Sequence, residues 1–146
     1  MKKKFLAVVL GAAMTLSMAA CGAGDSKSST ESGSKSGSDF KVGIVLDVGG
    51  VNDGSFNQTS WEGLEKAEKE LGIKASYLES DSDGDYAANI ENFIDDDCDL
   101  IICVGYMLAD ATKTAAEENP DQKFAIIDDA TIDLDNVACL MFEQEQ

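Results

Sequence analysis

Residues Asp47 to Gln58 (DVGGVNDGSFNQ) hold the densest set of groups able to do chemistry. Asp47 and Asp53 bring carboxylates, Asn52 an amide and Phe56 a ring. Gly49, Gly50 and Gly54 give a backbone free to approach a ligand or take unusual dihedrals. Carboxylates accept pairs of hydrogen bonds from hydroxyls or ring NH groups, and an aromatic face can stack on a planar base or a sugar ring. Ser55 is placed to cap a helix that starts near Phe56. The same residues would also make an ordinary Gly/Asn/Asp turn with Phe56 in the core. Gly105-Tyr106-Met107 and Asp128-Asp129 each follow an apolar run and add an aromatic and further carboxylates. The loop lacks the Gly-Lys-Ser/Thr ending of a phosphate loop and the GxGxxG spacing of a dinucleotide site. Two close aspartates would also repel a phosphate. These residue types point to a neutral, hydroxyl-rich ligand. Asp47 and Asp53 could instead serve a nucleoside or glycoside hydrolase as acid and base, yet both sit on one Gly-rich loop with nothing to separate their pKa roles.

Composition narrows the choice. The chain has 146 residues with 28 Asp and Glu, no His, and 11 basic residues that are all Lys. Every acid follows residue 20, where only 8 lysines remain, so that part carries a net charge of −20. A basic surface for nucleic acid is excluded, and direct adhesion to an anionic bilayer is disfavoured. Without His there is no His-based triad and no His metal site. No catalytic residue, metal or cofactor is assigned. Asp81-Ser82-Asp83-Gly84-Asp85 gathers carboxylates, but a calcium-binding EF-hand loop needs more ligands and a distal Glu, which favours a solvated turn capping the next helix. Asp95-Asp96-Asp97 reads as a surface helix end. Cys98, Cys103 and Cys139 fit neither a CxxC nor a zinc spacing. Cys103 and Cys139 lie in apolar runs, as small buried hydrophobes do; a disulfide involving Cys98 stays open.

The elements that must position these groups alternate. Lys41–Asp47, Ile73–Leu78, Leu100–Gly105, Phe124–Asp128 and Val137–Phe142 read as strands. Asn57–Leu71, Tyr86–Ile94 and Leu108–Glu118 read as helices, the first with Trp61, Leu64, Ala67 and Leu71 at helical spacing and Gly72 as its stop. Alternation of this length predicts an α/β fold, a parallel sheet of βαβ units flanked by helices, whose ligand would bind at the carboxyl ends of the strands. The continuous apolar strands predict a sheet covered on both faces.

The N-terminus carries a different message. Met1–Lys4 is basic, and Phe5–Ala20 is apolar with small residues at its end. Sixteen residues span about 24 Å as a helix, short of a bilayer core of about 30 Å, so residues 1–20 read as an export signal rather than a permanent anchor. Residues 22–39 contain seven Ser, four Gly and no large apolar side chain. Such a segment reads as a flexible linker with a reach of about 20–25 Å. Three regions result: 1–20 signal, 21–39 linker headed by Cys21, and 40–146 the working domain.

Two resemblances add to this. Met18-Ala19-Ala20-Cys21 resembles the bacterial lipobox, with Met18 where Leu is usual; it implies a multiply acylated Cys21 and a domain held to the cell membrane on its extracytoplasmic side. Asp47–Gln58, followed by Trp61-Glu62-Gly63 and supported by Ile101–Tyr106 and Phe124–Asp128, resembles the basic membrane protein family of lipoproteins. These are substrate-binding components of ABC transporters, and several bind purine nucleosides. The resemblance implies the N-terminal lobe of a type I periplasmic-binding-protein fold, a purine nucleoside as small-molecule ligand, and a transporter permease as partner. It implies that Phe56 stacks on the base while Asp47 and Asp128 hydrogen-bond the nucleoside, with Gly105 and Tyr106 lining the site and Asn52 and Asp53 shaping its loop. Family members are more than twice as long, which makes this chain one lobe and half a site. A receptor for a sugar or another small metabolite, the hydrolase, and a tethered surface protein contacting other macromolecules are the competing readings.

Overall fold

A computed structural model describes residues 39–142; the expected signal, Cys21 and nearly all of the linker lie outside them. The described chain runs β1 (Lys41–Val45), α1 (Phe56–Leu71), β2 (Lys74–Leu78), α2 (Tyr86–Asp95), β3 (Leu100–Val104), α3 (Ala109–Glu118), β4 (Phe124–Ile127) and β5 (Val137–Leu140). The five strands form one parallel sheet in the order β2-β1-β3-β4-β5. The expected α/β class and all eight elements are present. Four strands stop short of the reading, β5 ending at Leu140 rather than Phe142, and for β3 and β4 the backbone itself turns the chain out of the ladder. Gly105 (φ 92) and Asp128 (φ 63) end β3 and β4, and β1 stops two residues before Asp47.

The apolar strands hide a strict two-residue alternation. Val42, Ile44, Leu46 and Val104 pack with Leu64 of α1 on one face. Val45, Ile101, Cys103, Phe124 and Ile126 pack with Tyr86, Ile90 and Phe93 of α2, Leu108 just before α3 and Ala116 within it on the other. Both faces are apolar, so the sequence looks continuous. One contact is close enough to constrain the sequence. A Cβ on Gly43 would lie 2.5, 2.6 and 2.7 Å from Cγ, Cδ1 and Cδ2 of Phe93, so only glycine lets that ring lie against β1.

Helix α1 ends where Gly72, at φ 69, donates its N–H to the Glu68 carbonyl. Asn119 terminates α3 ahead of Pro120. The acidic segment before α2 is the capping turn the sequence suggests. Ser82 donates its N–H (2.8 Å) and its hydroxyl (2.9 Å) to the Asp85 carboxylate, which leads into α2. Cys98, Cys103 and Cys139 are all free. Cys103 and Cys139 share a register row through Ile126, two strands apart, about 10 Å and beyond disulfide reach. Among the described residues no helix is long and apolar enough to cross a membrane.

Candidate functional site

Because all strands run one way, their carboxyl ends share an edge of the sheet, and the three helices begin there. Register sets the candidate residues on it. Val45 sits beside Cys103, and Val104 beside Ile127. Continuing these rows places Asp47, Gly105 and Asp128 level with one another on β1, β3 and β4. With strands about 4.8 Å apart, the backbones at Asp47 and Asp128 are separated by about 10 Å. Gly105 lies between them at φ 92, ψ 153, a conformation glycine alone takes readily. A Cβ there would fall 3.5 Å from Asp47 Oδ2, so glycine keeps the space between the two aspartates open.

Asp128 is a non-glycine residue in the left-handed region, a geometry that for most side chains costs about 1–2 kcal/mol and that Asp tolerates better than most. Its N–H donates to the Leu140 carbonyl at 2.9 Å, which holds the turn. Its carboxylate forms no hydrogen bond among the described residues and remains available. The adjacent Asp129 is buried and closes a local turn by accepting from the N–H (2.8 Å) and hydroxyl (2.7 Å) of Thr131.

In the first loop the carboxylates divide their work. Asp47 Oδ1 accepts from Gly49 N–H (2.8 Å) and from Asn57 Nδ2 (2.6 Å), while Oδ2 faces Gly105. Asp53 caps α1: Oδ1 accepts from the N–H groups of Ser55 (2.8 Å) and Gln58 (3.1 Å), and Oδ2 from that of Asn57 (3.1 Å). Ser55, expected to cap, occupies the cap position but makes no side-chain cap bond. The longer reach of Asp53, two residues earlier, satisfies the helix amides instead. Burial works to raise the Asp53 pKa, but the N–H groups of Gln58, Ser55 and Asn57 together outweigh it and hold the carboxyl below its ordinary 3.8. Asn52 is exposed on the same loop.

Phe56 is 45 % exposed, with its ring centroid 5.9 Å from that of Phe142. It is therefore not a core residue, and its ring is free to meet a ligand. Tyr106, on the 3-10 turn after Gly105, is 68 % exposed at the same edge. Below Phe56 an open apolar groove of about 640 Å³ runs between α1 and the β4–β5 side of the sheet, past Gly63, Ile127 and Leu140. None of Asp47, Asp53 and Asp128 lines it, so the groove is separate from the carboxylate row. Behind the first loop the Tyr86 hydroxyl is buried and completes no hydrogen bond of good geometry. Burial, with Asp83 next to it, pushes its pKa up to about 12.

Two contributors escaped the sequence reading. Glu79, the first residue beyond β2, accepts from Val51 N–H at 2.7 Å and ties the loop to the neighbouring strand. The strand-end rule that picks out Gly105 and Asp128 applies to it equally. Asn57 stands inside the SFNQ motif, but nothing in the pattern marks it as buried.

Residues 40–146 match the family described as ABC transporter substrate-binding protein PnrA-like. The chain is 40% identical over 149 residues to a CD4+ T-cell-stimulating antigen of Listeria innocua, covering 98% of this chain and 42% of that protein. It is 35% identical over 151 residues to the ABC transporter nucleoside-binding protein BmpA of Lactococcus lactis, covering 100% and 42%. The crystal structure of an ABC transporter solute-binding protein from Aeropyrum pernix K1 superposes with a TM-score of 0.64 at 32% identity, over 68% of this chain and 28% of that one. The chain thus spans less than half the length of these relatives.

Proposed function

Because the chain belongs to the PnrA-like family of ABC transporter substrate-binding proteins, we propose that it is the N-terminal lobe of a lipid-anchored extracytoplasmic receptor that captures purine nucleosides for an ABC importer. Substrate-binding proteins bind rather than convert, and the hydrolase alternative is set aside. The observation that carries the nucleoside reading is the row Asp47–Gly105–Asp128 with an exposed Phe56 on the flanking helix. Asp47 and Asp128 accept hydrogen bonds from ring NH or ribose hydroxyl groups, and Phe56 stacks on the base. Gly105 gives the ligand room, Tyr106 closes one side, and Asn52 and Asp53 shape the loop. The nucleoside-binding name of the L. lactis relative supports the same ligand class. Residues 1–20 direct export, Cys21 carries the lipid, residues 21–39 tether the lobe to the cell membrane, and the permease receives the loaded receptor.

One lobe leaves a ligand mostly exposed, whereas small-molecule sites usually enclose about 70–90% of it. The isolated chain should therefore bind nucleosides weakly. Calorimetry tests this with inosine, adenosine and ribose, titrated into the chain alone and into the chain completed by the C-terminal part of its L. innocua relative. The completed receptor should bind inosine with a Kd near ~1 μM or tighter. Binding of ribose but not inosine would move the ligand class to sugars. Tight inosine binding by the lone chain would show that the second lobe is dispensable.

A further inference from the structure

We infer that Asn57 is a positioning residue whose amide fixes the Asp47 carboxylate and so decides which of its oxygens is offered to the ligand, an assignment that rests on the receptor reading above. Asn57 is the second residue of α1 and is 0 % exposed, although Phe56 beside it is 45 % exposed. A buried amide must be paired, and both ends of this one are. Its orientation is unambiguous. A carboxylate can only accept, so Nδ2 faces Asp47 Oδ1 at 2.6 Å; a main-chain N–H can only donate, so Oδ1 receives Asp47 N–H, at a longer 3.4 Å.

The surroundings are built for this contact. A Cβ on Gly49 would lie 3.0 Å from Asp47 Oδ1 and 3.1 Å from Asn57 Nδ2, so glycine leaves the pair its room. Asn57 is held in turn by Asp53, whose Oδ2 accepts its main-chain N–H at 3.1 Å. With Oδ1 engaged by Gly49 and Asn57, Oδ2 is the oxygen left over the gap at Gly105. The helix cap, the buried amide and the strand-end aspartate thus form one chain of contacts that ends in a single oriented acceptor.

Leucine at 57 approximates the side-chain volume without a donor. In the chain itself, three-bond Hα–Hβ couplings report the Asp47 rotamer, and urea unfolding reports the fold. Wild type should show one rotamer and N57L an average. G49A crowds the same pair without emptying a buried site, and should give averaged couplings even if N57L folds poorly. In the completed receptor, N57L should weaken inosine about tenfold, the scale of re-ordering one freed side chain. It should weaken it no further when Asp47 is already alanine, a coupling that general loss of fold would not produce. An unchanged Asp47 rotamer in both variants, or fully additive effects of N57L and D47A, would overturn the inference. A completed wild-type receptor that ignores inosine would sink the nucleoside reading instead, with the couplings still deciding the role of Asn57.

Discussion

Replacing Asp53 by alanine removes at once the acceptor of two helix amides, those of Asn57 and Gln58, and of the Ser55 N–H at the cap. Loss of an ordinary N-cap side chain costs about 0.5–2 kcal/mol. Here both carboxylate oxygens are engaged, and the first turn also carries Asn57, so the upper end, about 2 kcal/mol, is expected. For a domain of 107 residues that corresponds to roughly 10 °C in Tm. Its pH dependence identifies the mechanism. The folded-state pKa lies below the ordinary 3.8, so the ionised cap contributes its full stabilisation above 3.8 and loses it as pH falls through the lower folded value. Urea unfolding of the soluble form beginning at Gly22 should give a constant gap between wild type and D53A from neutral pH down to mildly acid conditions, and a shrinking gap below 3.8. D53N, which cannot ionise, should keep a constant gap to D53A across the same range. A D53A protein within about 0.3 kcal/mol of wild type at neutral pH, or a gap unchanged in strong acid, would show that another group carries the cap.

Gly43→Ala should destabilise by about 2–3 kcal/mol, because the new methyl would sit 2.5 Å from Phe93 Cγ and the ring must retreat; in a Phe93→Leu background the same change should cost far less, measured as a double-mutant cycle in urea. Phe56→Ala should weaken inosine binding to the completed receptor by about 1–3 kcal/mol if the ring stacks on the base. Stability should change by about 0.5 kcal/mol or less, since the ring is already half exposed. Burial pushes the Cys103 thiol up to about 12 and also raises that of Cys98. Timed iodoacetamide labelling read by mass spectrometry should therefore modify half-buried Cys139 well before either, with Cys103 reacting only on unfolding.

The elements were legible because each is marked by its own residues. Trp61, Leu64 and Leu71 repeat at helical spacing, Gly72 and Asn119-Pro120 stop helices, and continuous apolar runs signal a doubly covered sheet. Strand ends were less so, since Asp128 stops β4 through a left-handed backbone that an aspartate code does not announce. Strand order was not stated by the sequence, and it is the order that inserts β3, and hence Gly105, between the two aspartates. The division of labour among the loop carboxylates was also hidden. Asp47, Asp53 and Glu79 are chemically alike in a sequence, and only three-dimensional contacts show that Asp53 serves helix amides, Glu79 serves Val51, and Asp47 keeps one oxygen free. Asn57 was invisible for a related reason: helical periodicity assigns burial to apolar residues, and a fully buried amide breaks that rule only where it has a specific partner.

The charge pattern of this edge decides between nucleosides and nucleotides. Lys41, Lys74 and Lys123 stand at or just before the starts of β1, β2 and β4, at the opposite edge from Asp47 and Asp128. The favourable field at the carboxyl edge comes from the N-termini of α1, α2 and α3, each worth about 0.3–1 kcal/mol to a nearby anion. The two aspartates act against it. At an effective dielectric near 20 and about 8 Å, each repels a unit negative charge by roughly 2 kcal/mol, and a phosphate carries nearly two such charges. Repulsion exceeds the helix contribution by several kcal/mol, so the completed receptor should bind inosine at least ~100-fold more tightly than its monophosphate. Competition titration should show that ratio narrowing as salt is raised, because screening weakens the repulsion. Equal affinity for the two ligands would mean that the aspartates do not face the bound molecule, and the row at Gly105 would then be an architectural feature of the sheet edge rather than a ligand wall.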